Sequence, residues 1–281
     1  LPSIMADLGI TATEGQWLTT AFMLVNGIMI PITAYFINRF TTRQLFLSSM
    51  TLFAAGTAVA GLAGNFTLLL IARILQAMAA GILMPMIQTV ILLLFPKEKR
   101  GAAMGTIGIV IAFAPAIGPT LSGWVVDSWG WNSIFLLIVP LAVIIIIVSF
   151  FLLKNVGDTY RTKLDVPSVI FSTVGFGGLL YGFSIAGSYG WIHPITIVTL
   201  ILGIGFLIIF IRRQLKLHTP LLELQILKTK EFRYSTIISM IVNAALIAGT
   251  IITPIYLQNV LQFTAMQSGL VMLPGALLMG V

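Results

Sequence analysis

Arg73 is the residue whose position most directly suggests chemistry, because it lies inside the long apolar run Phe66–Phe95. At 100° per residue, Gln76 and Gln88 fall within about 60° of Arg73 on one helix face. A central arginine costs roughly 2.5–3.5 kcal/mol to insert into a membrane, so it usually faces a bundle interior or a hydrated cavity. Snorkelling toward the nearer surface is the alternative, but the two glutamines favour a functional role in the interior.

A polar stripe marks the first long apolar run. Thr19, Asn26 and Thr33 recur every seven residues, which is nearly two helical turns, so the three side chains share a face. At membrane depth, Asn26 needs a hydrogen-bond partner or water. Hydrogen bonding between helices and the lining of a cavity explain this stripe equally well.

The run Ala102–Val126 carries a seam of small residues and two prolines. The seam steps by four and three residues, and its members are Gly101, Gly105, Gly108, Ala112, Pro115, Pro119 and Ser122. Small side chains let another helix approach closely. Each proline removes a backbone hydrogen bond, so the two prolines are expected to bend this helix.

The other side chains exclude most catalytic and metal chemistry. No Asp or Glu falls within an apolar run, and both histidines, His193 and His218, lie in loops. The chain has no Cys, so it offers no thiolate ligand for zinc or haem. Without paired carboxylates, metal-ligand spacing or a histidine beside a nucleophile, the sequence predicts neither an enzyme nor a bound metal or cofactor.

Long apolar segments must position these residues. The chain is 58% hydrophobic and 8% charged, with a mean hydropathy of +1.07, which is typical of membrane proteins. A hydrocarbon core about 30 Å thick needs roughly 20 apolar residues per helix. We therefore predict an all-α polytopic membrane protein with eight complete spans and a partial ninth from Gly269. The complete runs are Gln16–Ile37, Gln44–Ala63, Phe66–Phe95, Ala102–Val126, Ser133–Leu153, Val166–Ala186, Ile195–Ile211 and Tyr234–Leu257.

The distribution of positive charge predicts the orientation. Apart from Arg73, every Lys and Arg lies on one side when the spans are threaded alternately, and by the positive-inside rule that side is cytoplasmic. The protein is thus expected to cross the cell (cytoplasmic) membrane several times, in contact with lipid. Topology also accounts for the net charge of +7, so no nucleic-acid partner is expected.

Three sequence motifs resemble those of a known family. The segment from Ala114 to Gly123, which includes Pro115, Gly118 and Pro119, resembles the fifth-helix antiporter motif of major facilitator drug exporters. Arg73-Ile74-Leu75-Gln76-Ala77 is similar to the fourth-helix motif of that superfamily. Pro31 through Arg43 is placed like its loop motif between helices two and three.

The chain departs from these motifs at several positions. Ala114 and Ser122 replace glycines of the antiporter motif, and Ala77 replaces the glycine of the fourth-helix motif. In the loop motif, Asn38 stands where Asp is usual, and Ala34 and Thr41 stand where Gly is usual. Arg39 and Arg43 match the loop motif.

The similarity runs along the whole chain. Leu1-Pro2, Gln16-Trp17 and Leu273-Pro274 look like the corresponding residues of the fourteen-helix drug:proton antiporter subfamily. It implies that residues 1–153 form an N-terminal bundle of helices two to six. Residues 154–233 would contain a cytoplasmic linker, two additional helices and an amphipathic segment, and residues 234–281 would begin the C-terminal bundle. Because the chain starts at Leu1 and stops within an apolar run, we expect a piece truncated at both ends.

The resemblance implies a proton-coupled exporter of drug-like, lipophilic or cationic compounds that works by alternating access. Arg39 and Arg43 would help to close a cytoplasmic gate, and Pro115, Gly118, Pro119 and Gly123 would form the antiporter motif. The proton or substrate pathway would involve Arg73, Gln76, Asn26, Gln88 and Asn243. A carrier or channel for an endogenous metabolite and a non-transporting membrane fragment are the alternatives.

Overall fold

The structure, a computed structural model, describes residues 2–157, 159, 165–217 and 220–278. In these residues every regular element is helical. One of them is a short 3-10 helix, Leu224–Lys228. The α-helices are α1 (Pro2–Leu8), α2 (Ala12–Arg39), α3 (Thr42–Gly61), α4 (Phe66–Leu94), α5 (Lys97–Trp129), α6 (Asn132–Leu152), α7 (Val166–Tyr189), α8 (Pro194–Lys216), α9 (Lys230–Asn259) and α10 (Ala265–Leu278).

Two capping boxes determine where α2 and α3 begin. The Thr11 hydroxyl accepts from the Glu14 amide at 3.3 Å, and the Glu14 carboxylate accepts from the Thr11 amide at 2.8 Å. Thr41 and Gln44 repeat this exchange at the start of α3. These bonds satisfy backbone donors that a helix leaves unpaired in its first turn. The capping box at Thr41 therefore keeps the loop between α2 and α3 short.

Seven of the described helices are long and apolar enough to cross a membrane: α2, α3, α4, α6, α7, α8 and α9. The eighth predicted span, Ala102–Val126, lies within α5 and is helical throughout. Helix α5 is not among the seven, and it includes positions 112–117, 119 and 120, whose side chains the structure does not describe. The predicted all-α polytopic fold is confirmed.

The first unit comprises Leu1–Leu94 and Phe135–Leu224. In it α4 lies against both α2 and α3, while α7 lies against α2 and α8. One core cluster joins Met29 of α2, Leu45 of α3 and Met86 of α4. A second cluster joins α3 to Ala142 of α6. Most of the apolar surface of α6 is exposed, as a lipid-facing helix requires.

The second unit comprises Phe95–Ile134 and Gln225–Val281. Its helices α5 and α10 pack against each other, and α9 lies beside α10. Gly123, in the last part of α5, is buried. The helix that carries the small-residue seam therefore has a neighbour within its own unit. The division of the chain at 153 and 233 stays a prediction.

Cysteine labelling in the full-length protein tests the predicted orientation. Ser188, near the end of α7, and Glu223, after α8, are both exposed and are separated by the span of α8. We expect Ser188→Cys to react with a membrane-impermeant maleimide added outside intact cells. Glu223→Cys should react only after the cells are permeabilised, because it lies on the side that carries the positive charges. The opposite labelling pattern would contradict the orientation.

Candidate functional site

Arg73 begins a chain of side-chain hydrogen bonds between α4 and α3. Its Nη1 donates to Oε1 of Gln76 at 3.1 Å, and Nε2 of Gln76 donates to Oγ1 of Thr57 at 2.9 Å. The Thr57 hydroxyl in turn donates to the carbonyl of Phe53 at 2.7 Å. Gln76 and Thr57 are buried. Buried polar groups need such partners because an unmade hydrogen bond at this depth is costly.

The guanidinium of Arg73 also faces α2. Its Cζ lies 4.5 Å from the centroid of the Phe22 ring. Such a cation–π contact contributes about 2 kcal/mol when it is shielded from water. Within the part of the chain that the structure describes, the partners of Arg73 are thus an amide and an aromatic ring, and neither carries a charge. Arg73 therefore lies where α2, α3 and α4 meet, and these partners leave its positive charge unbalanced.

Two glycines bring these three helices close together. A Cβ on Gly56 of α3 would lie 3.1 Å from the carbonyl oxygen of Ala72 and 3.2 Å from the amide nitrogen of Gln76. Gly56 immediately precedes Thr57, so this close approach places the threonine within reach of Gln76. A Cβ on Gly81 of α4 would lie 2.5 Å from the Cβ of Met29 on α2. Neither position leaves room for a larger residue, as is common where membrane helices meet.

The polar stripe of α2 lies partly at its contact with α4. The Thr33 hydroxyl is placed to donate to the carbonyl of Met29 at 2.8 Å or to that of Gly81 at 3.0 Å, and the second bond links the two helices. Asn26 lies at the same contact, with its Oδ1 3.2 Å from a Cβ built on Gly81. For Thr33, the geometry supports hydrogen bonding between helices rather than the lining of a cavity. The pathway role of Asn26 stays a prediction.

The two arginines of the predicted gate differ in their surroundings. Arg39 is exposed at the end of α2. Arg43 donates from Nη2 to the carbonyl of Phe150 near the end of α6, and its Cζ lies 4.8 Å from the centroid of the Phe150 ring. Its backbone amide donates to Oδ1 of Asn155 at 3.1 Å. Arg43 therefore fastens the start of α3 to the end of α6, where a cation complements the helix dipole.

A cavity of about 310 Å³ lies at this end of the first unit. Its walls come from the end of α2, the start of α3, the end of α4 and the strap at Val156-Gly157. Thr42 holds the strap, since its hydroxyl donates to the carbonyl of Val156 at 2.9 Å and accepts from the Val156 amide at 3.3 Å. Asn38, which replaces the usual acid of the loop motif, lines the cavity without adding a charge.

Other predicted site residues lie apart from the Arg73 chain. Gln88 is exposed on α4, fifteen residues beyond Arg73 and thus about 22 Å further along the helix. Asn243 is exposed on α9, where its Nδ2 donates to the carbonyl of Ser239 at 2.8 Å. The side chains of Pro115 and Pro119 lie outside the described residues. Among the described atoms, none lies within 4 Å of a Cβ built on Gly118.

Sequence reasoning missed Thr57 and Phe22. Gln76 is three residues from Arg73 on the same helix, so its contact with Arg73 follows from helical geometry. Thr57 and Phe22 lie on other helices, and their contacts depend on how α2 and α3 are rotated against α4. The sequence did carry one indication of the Thr57 contact. The adjacent Gly56 allows a neighbouring helix to approach closely enough to reach the Thr57 hydroxyl.

Comparison with known proteins agrees with the helical architecture. Residues 1–281 match the sequence profile of the Major Facilitator Superfamily. The chain is 52% identical over 280 residues to "Uncharacterized MFS-type transporter YcnB" of Bacillus subtilis (strain 168), and this match covers 100% of the chain and 59% of the relative. It is 45% identical over 282 residues to "Lincomycin resistance protein LmrB" of the same organism, and this match covers 100% of the chain and 59% of that relative.

A more distant relative is "Multidrug export protein EmrB" of Haemophilus influenzae (strain ATCC 51907 / DSM 11121 / KW20 / Rd). It is 28% identical over 276 residues, and the match covers 98% of the chain and 54% of the relative. The chain thus spans between half and three-fifths of the length of these three relatives. The prediction that the chain is not an enzyme is confirmed, because the matching family consists of transporters. With its apolar spans and a family match over its whole length, the chain is a multi-pass protein of the cell membrane and belongs to the Major Facilitator Superfamily.

Proposed function

We propose that the full-length protein is a proton-coupled efflux transporter that exports drug-like, lipophilic or cationic compounds across the cytoplasmic membrane by alternating access. The observation that carries this proposal is the hydrogen-bonded chain from Arg73 through Gln76 to Thr57 at membrane depth. Ionisable residues in such positions usually mark substrate or proton pathways. The names of two relatives, a lincomycin resistance protein and a multidrug export protein, support the class of compound.

The neutral partners of Arg73 support a link between proton binding and transport. Gln76 and Phe22 hold the guanidinium in place without neutralising it. A buried cation requires an anionic group or water for stability, and a carboxylate that changes protonation would change its attraction to Arg73. The attraction to Arg73 would then favour one arrangement of the helices while that carboxylate is ionised. Once the carboxylate is protonated, the attraction is lost and the helices can adopt the other arrangement.

Transport into everted membrane vesicles tests this proposal. Vesicles that contain the full-length protein should accumulate lincomycin and tetraphenylphosphonium, a lipophilic cation, while respiration maintains a proton gradient. A protonophore should stop the accumulation, because a coupled carrier cannot concentrate its substrate without the gradient. Vesicles from cells that lack the protein are the control.

The same experiment separates the alternatives. A channel or passive carrier would equilibrate the compound at the same rate after the gradient is collapsed. A protein that does not transport would give no uptake above the control vesicles under either condition. Accumulation that persists with the protonophore would contradict proton coupling, and the absence of any uptake of either compound would contradict drug export.

A further inference from the structure

A second cavity, of about 260 Å³, lies between α2 and α7 within the first unit, and we call it the α2–α7 cavity. On α2 it is lined by Thr13, Gln16 and Trp17. These residues are three and four positions apart, so their side chains share one helix face. Because α2 begins and α7 ends on the side opposite the positively charged loops, the predicted orientation puts this cavity at the outer surface.

Helix α7 contributes a wall with the same helical spacing. Its lining residues recur on one side of the helix, and they are Tyr181, Ser184, Ile185, Ser188 and Tyr189. Four of these five side chains carry a hydroxyl group. The two helices therefore present hydroxyl, amide and ring surfaces to the space between them, where close packing of membrane helices would need small residues.

Two aromatic rings close the inner end of the cavity. Trp17 and Tyr181 are the lining residues furthest along α2 and α7 from the outer side, and their ring centroids lie 5.5 Å apart with the rings tilted by 37°. At the other end, Thr13, Ser188 and Tyr189 are exposed. A ligand therefore has access from the outer surface and meets ring surfaces at the inner end.

Several polar groups of the cavity are not used by the protein itself. Among the described residues, the hydroxyls of Thr13, Ser184 and Ser188 and the side-chain amide of Gln16 have no hydrogen-bond partner. A hydroxyl group can donate one hydrogen bond and accept two, and an amide can both donate and accept. A ligand that displaced water from these groups without replacing its bonds would lose free energy at each of them. The ligand must therefore supply several hydrogen-bonding groups of its own.

The cavity offers no charged group to attract an ion. The described residues that line it include no Asp, Glu, Lys, Arg or His. The carboxylate of Glu14, which is adjacent in sequence, accepts from the amide and the hydroxyl of Thr11 at 2.8 and 2.9 Å. An ion that entered the cavity would lose its hydration without gaining an opposite charge. These surroundings favour an uncharged ligand.

The cavity is also separate from the Arg73 site. Phe22, whose ring faces Arg73, lies five residues after Trp17, which is about 140° around α2 and about 7.5 Å along it. The cavity and the Arg73 site therefore use different faces of α2. Substitutions in the cavity wall leave the contacts of Arg73 in place.

We propose that the α2–α7 cavity binds, from the outer side of the membrane, soluble compounds that carry an uncharged polyhydroxylated ring, such as glycosides. Pockets for drug-sized molecules measure about 300–1,000 Å³, so this smaller cavity fits one ring system. Hydroxyl groups of a sugar ring match the polar walls, and its C–H face packs against aromatic rings. The acyl chains of a glycolipid would have to extend inward, where Trp17 and Tyr181 close the cavity. The inference adds a class of compound to the proposed export function and rests on that function only for its role in transport.

Protection of a cysteine from labelling tests the cavity in intact cells. Ser188→Cys in the full-length protein places a thiol in the cavity wall, and residues 1–281 contain no cysteine. At about ten times its dissociation constant, phenyl β-D-glucopyranoside should slow the reaction with a membrane-impermeant maleimide about tenfold, because the bound ring covers the thiol. Tetraphenylphosphonium, which has no hydroxyl group, should not slow it.

Ile192→Cys is the control for this measurement, because Ile192 is 89% exposed and does not line the cavity. Its labelling rate should be the same with and without the glucoside. Equal protection of both cysteines, or protection of neither, would overturn the inference.

Substitutions in the cavity wall test which groups hold the ring. On the Ser188→Cys background, Ser184→Ala should raise the glucoside concentration for half-maximal protection between about twofold and tenfold, as expected for one lost hydrogen bond between uncharged groups. Trp17→Leu should raise it about tenfold, because it removes a ring surface. Labelling without the glucoside shows that each variant reaches the cell surface.

Thr173→Ala is the matched control for these substitutions. It removes a hydroxyl from the same face of α7, eleven residues and about 16 Å from Ser184. It should leave the concentration for half-maximal protection unchanged. Unchanged protection in both Ser184→Ala and Trp17→Leu would overturn the assignment of the cavity.

The same assay in nanodiscs separates a soluble glycoside from a glycolipid headgroup. Nanodiscs of phosphatidylglycerol and phosphatidylethanolamine should show the protection by phenyl β-D-glucopyranoside that cells show. Adding monoglucosyl diacylglycerol to the bilayer, without the soluble glucoside, should not protect Ser188→Cys. Protection by the glycolipid alone would overturn the assignment to a soluble compound. Lincomycin export without any protection would overturn this inference and not the proposed function, whereas protection without any export would contradict the proposed function alone.

Discussion

Arg73→Ala in the full-length protein is expected to reduce gradient-driven export to the level of cells that lack the protein. The substitution removes the cation that lies over Phe22 and the donor that satisfies Oε1 of Gln76. Gln76 is then left buried with an acceptor that has lost its partner, while Thr57 keeps its bond to the Gln76 amide. Arg73→Lys should retain part of the activity, because it keeps the charge but not the planar guanidinium.

The measurement is export at matched expression, over a range of pH. Ile71→Ala, two residues away on α4 with an exposed side chain, is the control for the effect of truncating a residue in this helix. It should export at the wild-type rate. If Arg73→Ala exported normally with an unchanged pH profile, Arg73 would be a structural residue and the assignment of the site would be wrong.

Gly203→Leu is expected to prevent the α7–α8 hairpin from assembling. Any Cβ at this position meets backbone atoms of α7 at 2.7–3.1 Å, and backbone cannot move aside as a flexible side chain can. Overpacking of this kind costs roughly 1–3 kcal/mol, and more where the neighbours are rigid. We expect a large loss of folded protein, measured as the monodisperse fraction after detergent extraction and as the midpoint of thermal unfolding.

Gly205→Leu is the matched control, because it introduces the same side chain two residues later on α8, where no atom of the described residues lies within 4 Å of a Cβ. Its yield and unfolding midpoint should equal those of the wild type. Equal tolerance of leucine at 203 and 205 would show that the two helices are not in close contact.

The arrangement of apolar runs was sufficient to predict a helical membrane protein, and the resemblance of three motifs to those of a known superfamily predicted its family. The period of the helix was sufficient to place Gln76 beside Arg73, and this contact exists at 3.1 Å. The same period places Gln88 on the face of Arg73 but cannot bring the two together, because fifteen residues separate them along the helix; the pathway role of Gln88 stays a prediction. Trp17 of α2 meets Tyr181 of α7 with the ring centroids 5.5 Å apart and the rings tilted by 37°, a contact that no pattern within one helix predicts.

The sequence by itself determined properties of single helices: which apolar runs become helices, and which polar face contains Arg73. Only the tertiary structure decided which residues of other helices meet that face. Thr57 and Phe22 reach Arg73 and its partner Gln76 because Gly56 lets α3 approach α4, and no pattern within one helix specifies that rotation. The ion pair of Asp165 with Arg213 has the same origin, since these two residues are distant in the chain and meet only when α7 and α8 pack at Gly178 and Gly203.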